Sequence, residues 1–541
     1  MALLEINDLE ISLAKAGILS PLVRGVSFEL EEKETLAVVG ESGCGKSLTS
    51  LAIMGLLGGS QVSMTGGSIR FDNRELITML PDERRSLMGN QMAMIFQEPM
   101  TSLNPVYKIG DQIVESLRQH KDLSRSQART QAVELLDLVR IPEPNRRIDN
   151  FPHQMSGGQR QRVMIAMALS CEPKLLIADE PTTALDVTIQ AEILDLISTL
   201  QNELSMAIMF ITHDMAVAAA ISNNIIVMEK GHIVERGDIN QVFTSPKHAH
   251  TQKLLESVRR LEKVKSDNGK IAKKPKKILR VNGFHKHFQI GGGLFSKKSW
   301  LKAVNGISFE ICEGEVLGLV GESGCGKSTV GRALTHLEKA TSGQALFDDQ
   351  EIFPMSVSKF RPLRRDIQMI FQDPYASLNP RLKIEQILAE PLFIHELVSS
   401  QYDAKRLIQE TLESVGLGRE VMQRYPHEFS GGQRQRISIA RVMILKPRLV
   451  IADEAVSALD VSVQSQVLKL IKKLQRDNNI SMLFISHDLG VVRHLSDRVA
   501  VMYQGEIVEI GDTSQIFEAP THEYTQKLLA SIPVIKERDT L

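Results

Sequence analysis

Short, uninterrupted apolar runs recur along the chain and predict buried strands. The runs are TLAVVG (35–40), LLIADE (175–180) and AIMFITH (207–213), with counterparts VLGLVG (316–321), LVIADE (449–454) and SMLFISH (481–487). Strands without alternating polar positions are typical of a parallel sheet covered on both faces. Helix-like stretches lie between these runs, so the pattern predicts an α/β fold with a parallel-sheet core.

The chain of 541 residues carries one series of motifs twice, in the same order. The octet GESGCGKS stands at 40–47 and again at 321–328. Four further pairs follow, namely FQEPMTSLNP (96–105) with FQDPYASLNP (371–380), SGGQRQR (156–162 and 430–436), IADEPTTALDV (177–187) with IADEAVSALDV (451–461), and ITHD (211–214) with ISHD (485–488). The repeat, which runs from residue 40 to residue 321 when counted between the two octets, is too long for a solenoid unit and indicates a duplicated domain.

A basic segment separates the two copies. Residues 259–280, RRLEKVKSDNGKIAKKPKKILR, contain many Lys and Arg and few large apolar side chains, so a packed core is not expected there. We predict a flexible linker over 259–277 between domain 1 (1–258) and domain 2 (278–541). A contact of this linker with acidic lipid or RNA remains an alternative.

The octet follows a predicted strand and precedes a predicted helix in both copies, and it fits the phosphate-binding pattern G-x-x-x-x-G-K-[ST]. In such a loop, backbone N–H groups and the helix N-terminus face the phosphates. We expect Lys46 and Lys327 to reach the β- and γ-phosphates, and Ser47 and Ser328 to bind Mg²⁺. The predicted nucleotide-binding residues are Gly40, Glu41, Ser42, Gly43, Cys44, Gly45, Lys46 and Ser47, and Gly321, Glu322, Ser323, Gly324, Cys325, Gly326, Lys327 and Ser328.

Acidic and histidine residues end the later strands. We expect Asp179 and Asp453 to bind Mg²⁺, largely through water. The glutamates that follow them, Glu180 and Glu454, can polarise an attacking water. The predicted γ-phosphate contacts at the next strand end are His213 and His487. For these histidines a purely structural role is the less favoured alternative.

Composition and charge narrow the class of protein. The chain has 64 Lys and Arg against 65 Asp and Glu, which argues against a protein that coats nucleic acid. Four cysteines without a C-x-x-C pair favour a reducing, cytosolic setting. No apolar run is as long as the stretch of about 18 residues that is needed to span a bilayer. The first residues of the chain are acidic, unlike those of a signal peptide. Action at a membrane would therefore require a membrane-bound partner.

The order of these motifs resembles that of the nucleotide-binding subunit of ATP-binding-cassette (ABC) proteins, twice over nearly the whole chain. The resemblance implies two tandem ABC-type ATPase domains, each with a parallel-sheet core and a helical subdomain, and ATP with Mg²⁺ as ligands. It implies that Gln97 and Gln372 sense Mg²⁺ and the attacking water. The implied signature residues are Ser156, Gly157, Gly158 and Gln159, and Ser430, Gly431, Gly432 and Gln433, and the implied interface residues are Asp186 and Asp460. In that family each ATP lies between one phosphate loop and the opposite signature.

Narrower features are similar to the oligopeptide, dipeptide, glutathione and nickel importer ATPases. These are the two FQ segments, KHAHTQKLL (247–255) and THEYTQKLL (521–529). Two fused cassettes resemble the microcin-type peptide and glutathione importer subunits. The resemblance implies a peripheral protein at the cytoplasmic face of the cell inner membrane. Its implied partners are two permeases and a periplasmic or extracellular solute-binding protein, with no nucleic acid.

The sequence also departs from that family. Neither tail contains the cysteines of an iron–sulfur centre, so we expect no cluster. Phe288 is expected to stack on adenine in the second copy, whereas residues 9–26 of the first copy contain no aromatic residue. The two sites are therefore expected to differ in affinity.

Two questions stay open from the sequence. A soluble twin-cassette ATPase acting on ribosomes or nucleic acid is the alternative function, although the short linker and the absence of zinc-binding cysteine clusters argue against it. Cys44 and Cys325 are either ordinary packing residues or thiols activated by a helix N-terminus, whose alkylation would block ATP binding.

Overall fold

A computed structural model of the chain describes residues 2–15, 18–58, 61–97, 102–182, 185–262, 276–290, 299–457, 459 and 461–532. The chain divides into two compact units, whose principal segments are Met1–Leu185 with Ile189–Val258, and Arg259–Ile532. Each unit contains one copy of the repeated motifs. Residues 263–275 of the predicted linker lie outside the described residues, as does Asp460, and the predicted domain limits stay predictions.

The first unit contains ten described strands and ten described α-helices. The strands are β1 (Ala2–Lys15), β2 (Ile18–Glu31), β3 (Thr35–Gly40), β4 (Val62–Phe71), β5 (Arg74–Glu75), β6 (Met92–Ile95), β7 (Leu175–Asp179), β8 (Ala207–Thr212), β9 (Asn224–Glu229) and β10 (His232–Asp238). The helices are α1 (Lys46–Met54), α2 (Pro81–Leu87), α3 (Ile109–His120), α4 (Arg125–Leu138), α5 (Pro144–Arg147), α6 (Gly157–Leu169), α7 (Val187–Leu204), α8 (Met215–Ile221), α9 (Ile239–Thr244) and α10 (Ala249–Glu262).

Five parallel strands form the centre of this unit. The sheet order is β10-β9-β3-β8-β7-β6, and only β10 is antiparallel to its neighbour. Side chains of a strand alternate between the two faces of a sheet. Leu175 and Ile177 pack against the antiparallel strands, whereas Leu176 and Ala178 pack against the helices. Both faces are therefore apolar, which explains why this strand reads as an unbroken apolar run.

A second sheet, of order β2-β1-β4-β5, is antiparallel and covers one face of the first. This sheet was not predicted from the sequence. Its first strand alternates between buried residues such as Leu4 and Ile6 and polar residues, as a half-buried strand does. A bulge near Asp8, whose φ is 49°, shifts the register so that Leu9 is buried as well.

The second unit repeats this arrangement. Its strands are β11 (Lys277–Ile290), β12 (Ser299–Cys312), β13 (Val316–Val320), β14 (Ser342–Phe347), β15 (Gln350–Glu351), β16 (Ile367–Ile370), β17 (Leu449–Asp453), β18 (Ser481–Ile485), β19 (Arg498–Tyr503) and β20 (Glu506–Asp512). Its described helices are α11 (Lys327–Leu334), α12 (Val357–Phe360), α13 (Pro374–Ser377), α14 (Ile384–Ile394), α15 (Gln401–Ser414), α16 (Gly431–Met443), α17 (Val461–Asp477), α18 (Leu489–Leu495), α19 (Thr513–Glu518) and α20 (Glu523–Ala530). The sheet orders are β12-β11-β14-β15 and β16-β17-β18-β13-β19-β20.

The predicted α/β fold with parallel-sheet cores and added helical segments is confirmed. In each unit, the strand before the phosphate loop lies next to the strand that ends in His, which in turn lies next to the strand that ends in Asp-Glu. Parallel strands end at one edge of the sheet, so this order brings the predicted site residues together. Within the described residues, we find no helix that is both long and apolar enough to cross a membrane.

Candidate nucleotide-binding sites

The lysine of each phosphate loop is buried and bonded to the loop itself. Lys46 Nζ donates to the carbonyl oxygens of Gly40, at 2.6 Å, and Glu41, at 3.0 Å. Lys327 Nζ donates in the same way to the carbonyls of Gly321 and Glu322, at 2.7 and 2.9 Å. An ammonium group has three N–H donors, so these bonds use two of them. The third makes a long contact with a weak acceptor, since Nζ lies 3.9 Å from Cys44 Sγ in the first loop and from Cys325 Sγ in the second.

The first glycine of each octet stands where a side chain cannot fit. A Cβ on Gly40 would overlap the carbonyl oxygen of Met228 in β9, and a Cβ on Gly321 would overlap that of Met502 in β19. The close approach holds the loop against the neighbouring strand. The remaining predicted loop residues lie between this contact and the first turn of α1 or α11.

The serine after each lysine meets the aspartate predicted to bind Mg²⁺. Ser47 Oγ donates to Asp179 Oδ1 at 3.1 Å, and Ser328 Oγ donates to Asp453 Oδ1 at 2.8 Å. Burial raises the pKa of Asp179 to about 6 and raises that of Asp453 as well. A buried carboxylate with a raised pKa is stabilised in its charged form by a cation beside it, so a hydroxyl and a carboxylate at this place fit Mg²⁺.

Each predicted catalytic glutamate lies between the predicted glutamine and histidine. Glu180 accepts a hydrogen bond from Gln97 Nε2 at 2.9 Å, and its other oxygen lies 3.2 Å from His213 Nδ1. In the second unit, Gln372 Nε2 donates to Glu454 at 2.7 Å, and His487 Nδ1 lies 3.2 Å from the same carboxylate. Residues that are distant in sequence thus surround one carboxylate in each unit.

The backbone of these glutamates is left-handed, with φ of 46° at Glu180 and 47° at Glu454. This conformation is uncommon for residues other than glycine and is often found at functional sites. The adjacent strand holds it, because the two N–H groups donate to the carbonyls of Ile211 and Ile485, each at 2.9 Å. This backbone conformation was not predicted, because no residue preference in the sequence signals it.

The histidine–glutamate contacts favour the charged forms of both groups. Burial lowers the pKa of His213, but Glu180 more than offsets this, so the net shift is upward. The pKa of His487 is raised in the same way by Glu454. Burial raises the pKa of Glu454, yet the contact with His487 brings it below its ordinary value.

The predicted signature residues form the N-terminus of a helix in each unit. Ser156 is the N-cap of α6, where its hydroxyl accepts from Gln159 N at 3.3 Å and Gln159 Oε1 accepts from Ser156 N at 3.2 Å. Ser430 and Gln433 make the same capping box at α16, at 3.4 and 3.2 Å.

The two glycines between each cap pair differ in their surroundings. A Cβ on Gly158 would lie 2.7 Å from Ile189 of α7, and a Cβ on Gly432 would overlap Val463 of α17. Gly157 and Gly431 have more room, because a Cβ there would lie 3.8 or 3.7 Å from a leucine. The second glycine is therefore required for close packing of two helices.

Of the remaining predicted residues, Phe288 and Asp186 do not belong to the clusters described above. Phe288 lies on β11 opposite Leu301, and the ammonium of Lys286 is 4.6 Å from its ring centroid. The matching strand β1 contains no aromatic residue. Asp186 directly precedes α7, while Asp460 lies outside the described residues.

The loop cysteines are packing residues in this structure. Cys44 and Cys325 are buried with 5% and 8% exposure, and both belong to apolar clusters. Burial raises the pKa of both thiols, although the neighbouring lysine opposes the shift. Desolvation thus opposes formation of the thiolate, which favours the packing interpretation of these cysteines over activation by the helix N-terminus.

Slow thiol labelling is the expected consequence. At neutral pH, Cys44 and Cys325 of the folded protein should react with iodoacetamide at least about tenfold slower than free cysteine, whose pKa is about 8.5. A raised pKa leaves less thiolate, so the rate should rise as the pH becomes alkaline. Mass spectrometry of peptides alkylated over time measures this, with urea-unfolded protein as the reference. Rapid labelling at neutral pH that ATP prevents would contradict the packing interpretation.

Comparison with known proteins identifies the family. The family model described as "ABC transporter" matches residues 23–183 and again residues 304–457. This chain belongs to the ABC transporter family. A second model, "Oligopeptide/dipeptide transporter, C-terminal region", matches residues 234–290 and 508–541 of this ABC protein.

Its relatives include two import proteins. "Glutathione import ATP-binding protein GsiA" of Pectobacterium atrosepticum is 48% identical over 559 residues, which cover 98% of this chain and 89% of that protein. The protein of the same name from Escherichia coli K12 is 50% identical over 544 residues, which cover 95% and 86% of the two chains. A solved structure titled "Dimeric structure of a post-hydrolysis state of the ATP-binding cassette MJ0796 bound to ADP and Pi" is 26% identical, covers 43% of this chain and 98% of its own, and has a TM-score of 0.40.

The family models and the two import proteins confirm the family and the class of activity. This ABC protein is an ATPase subunit of the importer type, with two tandem cassettes. The segment THEYTQKLL, a family marker in the sequence, also makes a contact that its residues did not predict. Tyr524 of this segment accepts a hydrogen bond from the backbone of Glu322 in the second phosphate loop, at 3.3 Å. The recurrence of a similar segment at 247–255 marked this stretch as part of the repeat but did not indicate the contact.

Proposed function

We propose that each copy binds and hydrolyses Mg-ATP with the residues described above, and that this drives uptake of peptides, glutathione or similar small solutes. The observation that carries the proposal is the repeated cluster at the strand ends. In both units a buried lysine, a serine–aspartate pair and a glutamate held between Gln and His occupy matching places.

The phosphate loop binds the β- and γ-phosphates. Lys46 and Lys327 keep two N–H donors on loop carbonyls, and the third, which makes only a long 3.9 Å contact with Cys44 or Cys325 Sγ, would turn to a phosphate oxygen. Ser47 with Asp179, and Ser328 with Asp453, would hold Mg²⁺, which when bound neutralises developing charge on the phosphates. Phosphate charge close to α1 or α11 is further favoured by the helix N-terminus.

The glutamate orients the attacking water. Gln97 donates a hydrogen bond to the Glu180 carboxylate and Gln372 donates one to that of Glu454. His213 and His487 lie 3.2 Å from the other side of these carboxylates, at ion-pair distance. The lowered pKa of Glu454 keeps it ionised, so it accepts a hydrogen bond from water. A histidine with a raised pKa carries more positive charge and so favours an adjacent γ-phosphate.

The signature helices complete the sites. Their capping boxes use the serine hydroxyl and the glutamine side chain, while the N–H groups of the two glycines lie in the first helical turn, where an anion is favoured. We propose that the signature of each copy, together with Asp186 or Asp460, serves the nucleotide on the other copy. Phe288 stacks on adenine in the second copy only.

The partners proposed for this subunit are two permeases and a solute-binding protein, at the cytoplasmic face of the inner membrane. The support is the name of the relatives, which describes glutathione import, and the match to the oligopeptide/dipeptide C-terminal region.

Reconstitution tests this function. When the chain is assembled with its permease pair in liposomes, solute-loaded binding protein should stimulate ATP hydrolysis and solute entry together. Tritiated glutathione and labelled dipeptides identify the solute class. Stimulation by ribosomes or nucleic acid, without stimulation by the permeases, would instead favour the soluble twin-cassette alternative.

A further inference from the structure

The C-terminal helix α20 places a tyrosine against the second phosphate loop. Tyr524 Oη accepts a hydrogen bond from the N–H of Glu322, at 3.3 Å. Its side chain is largely buried, and its ring packs on that of Tyr503, with ring centroids 4.1 Å apart. The contact therefore lies in a packed region of the unit.

The bonded N–H belongs to the same peptide group as a carbonyl that holds the site lysine. The carbonyl of Gly321 accepts from Lys327 Nζ at 2.7 Å, while the N–H of Glu322 donates to Tyr524. A peptide group is planar and rigid. The tyrosine and the lysine thus fix two ends of one rigid group, so the position of the phenol oxygen affects that of the ammonium.

Tyr524 is itself held in place by its own segment. Glu509 accepts hydrogen bonds from the N–H groups of Thr521, at 2.8 Å, and His522, at 3.1 Å. His522 Nδ1 in turn accepts from the N–H of Tyr524 at 3.1 Å. These bonds fix the start of α20, and they give the phenol a defined place.

The first copy repeats the supporting bonds but not the tyrosine. Glu235 accepts from the N–H groups of Lys247, at 2.7 Å, and His248, at 3.0 Å, and His248 Nδ1 accepts from the N–H of His250 at 3.2 Å. His250 thus occupies the place of Tyr524. Its Nδ1 lies 3.8 Å from Glu229, and among the described residues its buried Nε2 has no hydrogen-bond partner.

We propose that Tyr524 is a positioning residue for the second phosphate loop, through which α20 strengthens the binding of nucleotide phosphates at that site. The first site has His250 instead and does not receive this support. The inference rests on the proposed function, since it assumes that both loops bind ATP. It also provides a source of difference between the two sites that is independent of Phe288.

Photolabelling of each half tests the inference. The full chain is titrated with 8-azido-ATP and Mg²⁺ on ice, irradiated and digested, and labelled peptides are assigned to either half by mass spectrometry. Tyr524→Phe removes one hydrogen bond, so the half-saturating concentration for the second half should rise about three- to tenfold. The value for the first half should not change. A second-half value within about twofold of the unaltered protein would overturn the inference.

Further variants separate positioning from folding. Tyr503→Phe removes the hydroxyl of the stacked neighbour, which bonds to Gln504, and should leave both values unchanged. Tyr524→His introduces the residue that the first copy has at this place. It should raise the half-saturating concentration for the second half as Tyr524→Phe does. This second variant keeps the test decisive if the phenylalanine variant folds poorly. The nucleotide-free unfolding temperature is recorded for each variant, and an effect explained entirely by a lower unfolding temperature would contradict positioning.

The same experiment distinguishes this inference from the proposed function. If unlabelled ATP fails to protect either half of the unaltered protein from labelling, the proposed function is wrong. If both halves are protected and Tyr524→Phe has no effect, only the role of Tyr524 is wrong.

Discussion

Replacing both Glu180 and Glu454 by glutamine is expected to lower ATP turnover at least about 100-fold while ATP still binds. Glutamine keeps the size of the side chain but removes the carboxylate that accepts a hydrogen bond from the attacking water. The lysine and serine contacts with the phosphates do not depend on this carboxylate. Phosphate release under saturating Mg-ATP, with nucleotide retained by the protein measured in parallel, checks both parts of the expectation.

Single variants and a surface control complete this experiment. Glu203→Gln changes an exposed glutamate of α7 and should leave turnover unaltered. The Glu180→Gln and Glu454→Gln variants are then compared with each other. The side-chain surroundings of the two glutamates are closely similar, so any difference in lost turnover between the two variants should come from another part of the sites, such as Phe288. Identical losses of turnover would count against that expected difference. Normal turnover in the double variant would refute the catalytic assignment.

Replacing Lys46 and Lys327 by alanine is expected to weaken ATP binding by about 100-fold. A hydrogen bond from a charged donor contributes about 1.5–3 kcal/mol, and tenfold in affinity corresponds to about 1.4 kcal/mol. The ammonium also orders the loop through two carbonyls, so its loss affects the site twice. Equilibrium binding of a fluorescent ATP analogue, competed with ATP, measures the change.

Controls distinguish lost phosphate contacts from lost folding. Lys230→Ala removes an exposed lysine of the same unit and should not alter affinity. Lys46→Ala alone should leave one site with nearly normal affinity. Binding in the double variant within about threefold of the unaltered protein would show that these lysines do not contact the nucleotide.

Much of the fold could be predicted because its central strands are buried on both faces. TLAVVG was predicted as a strand at 35–40, and β3 spans Thr35–Gly40. The antiparallel sheet could not be predicted in the same way. Its residues alternate between apolar and polar, and the bulge near Asp8 interrupts that alternation.

For the site, the sequence identified residue types but not their contacts. Spacing indicated that Glu180 and His213 belong to one site, because each follows a buried strand of a parallel sheet. The position of Gln97 beside Glu180 depends on strand order, which local patterns do not contain. The burial that raises the pKa of Cys44 depends on packing around the loop, and the position of this cysteine before a helix does not reveal that packing.

Short stretches of sequence were sufficient to predict the duplication, the parallel cores, the residues of the two phosphate loops and the family. The residue types in these stretches, and the order of the stretches along the chain, are sufficient for each of these predictions. Three features emerge only in the folded chain, namely the left-handed backbone of Glu180 and Glu454, the burial of the loop cysteines and the contact of Tyr524 with Glu322. These features arise where segments distant in sequence meet, because packing between them sets backbone conformation, desolvation and hydrogen-bond partners.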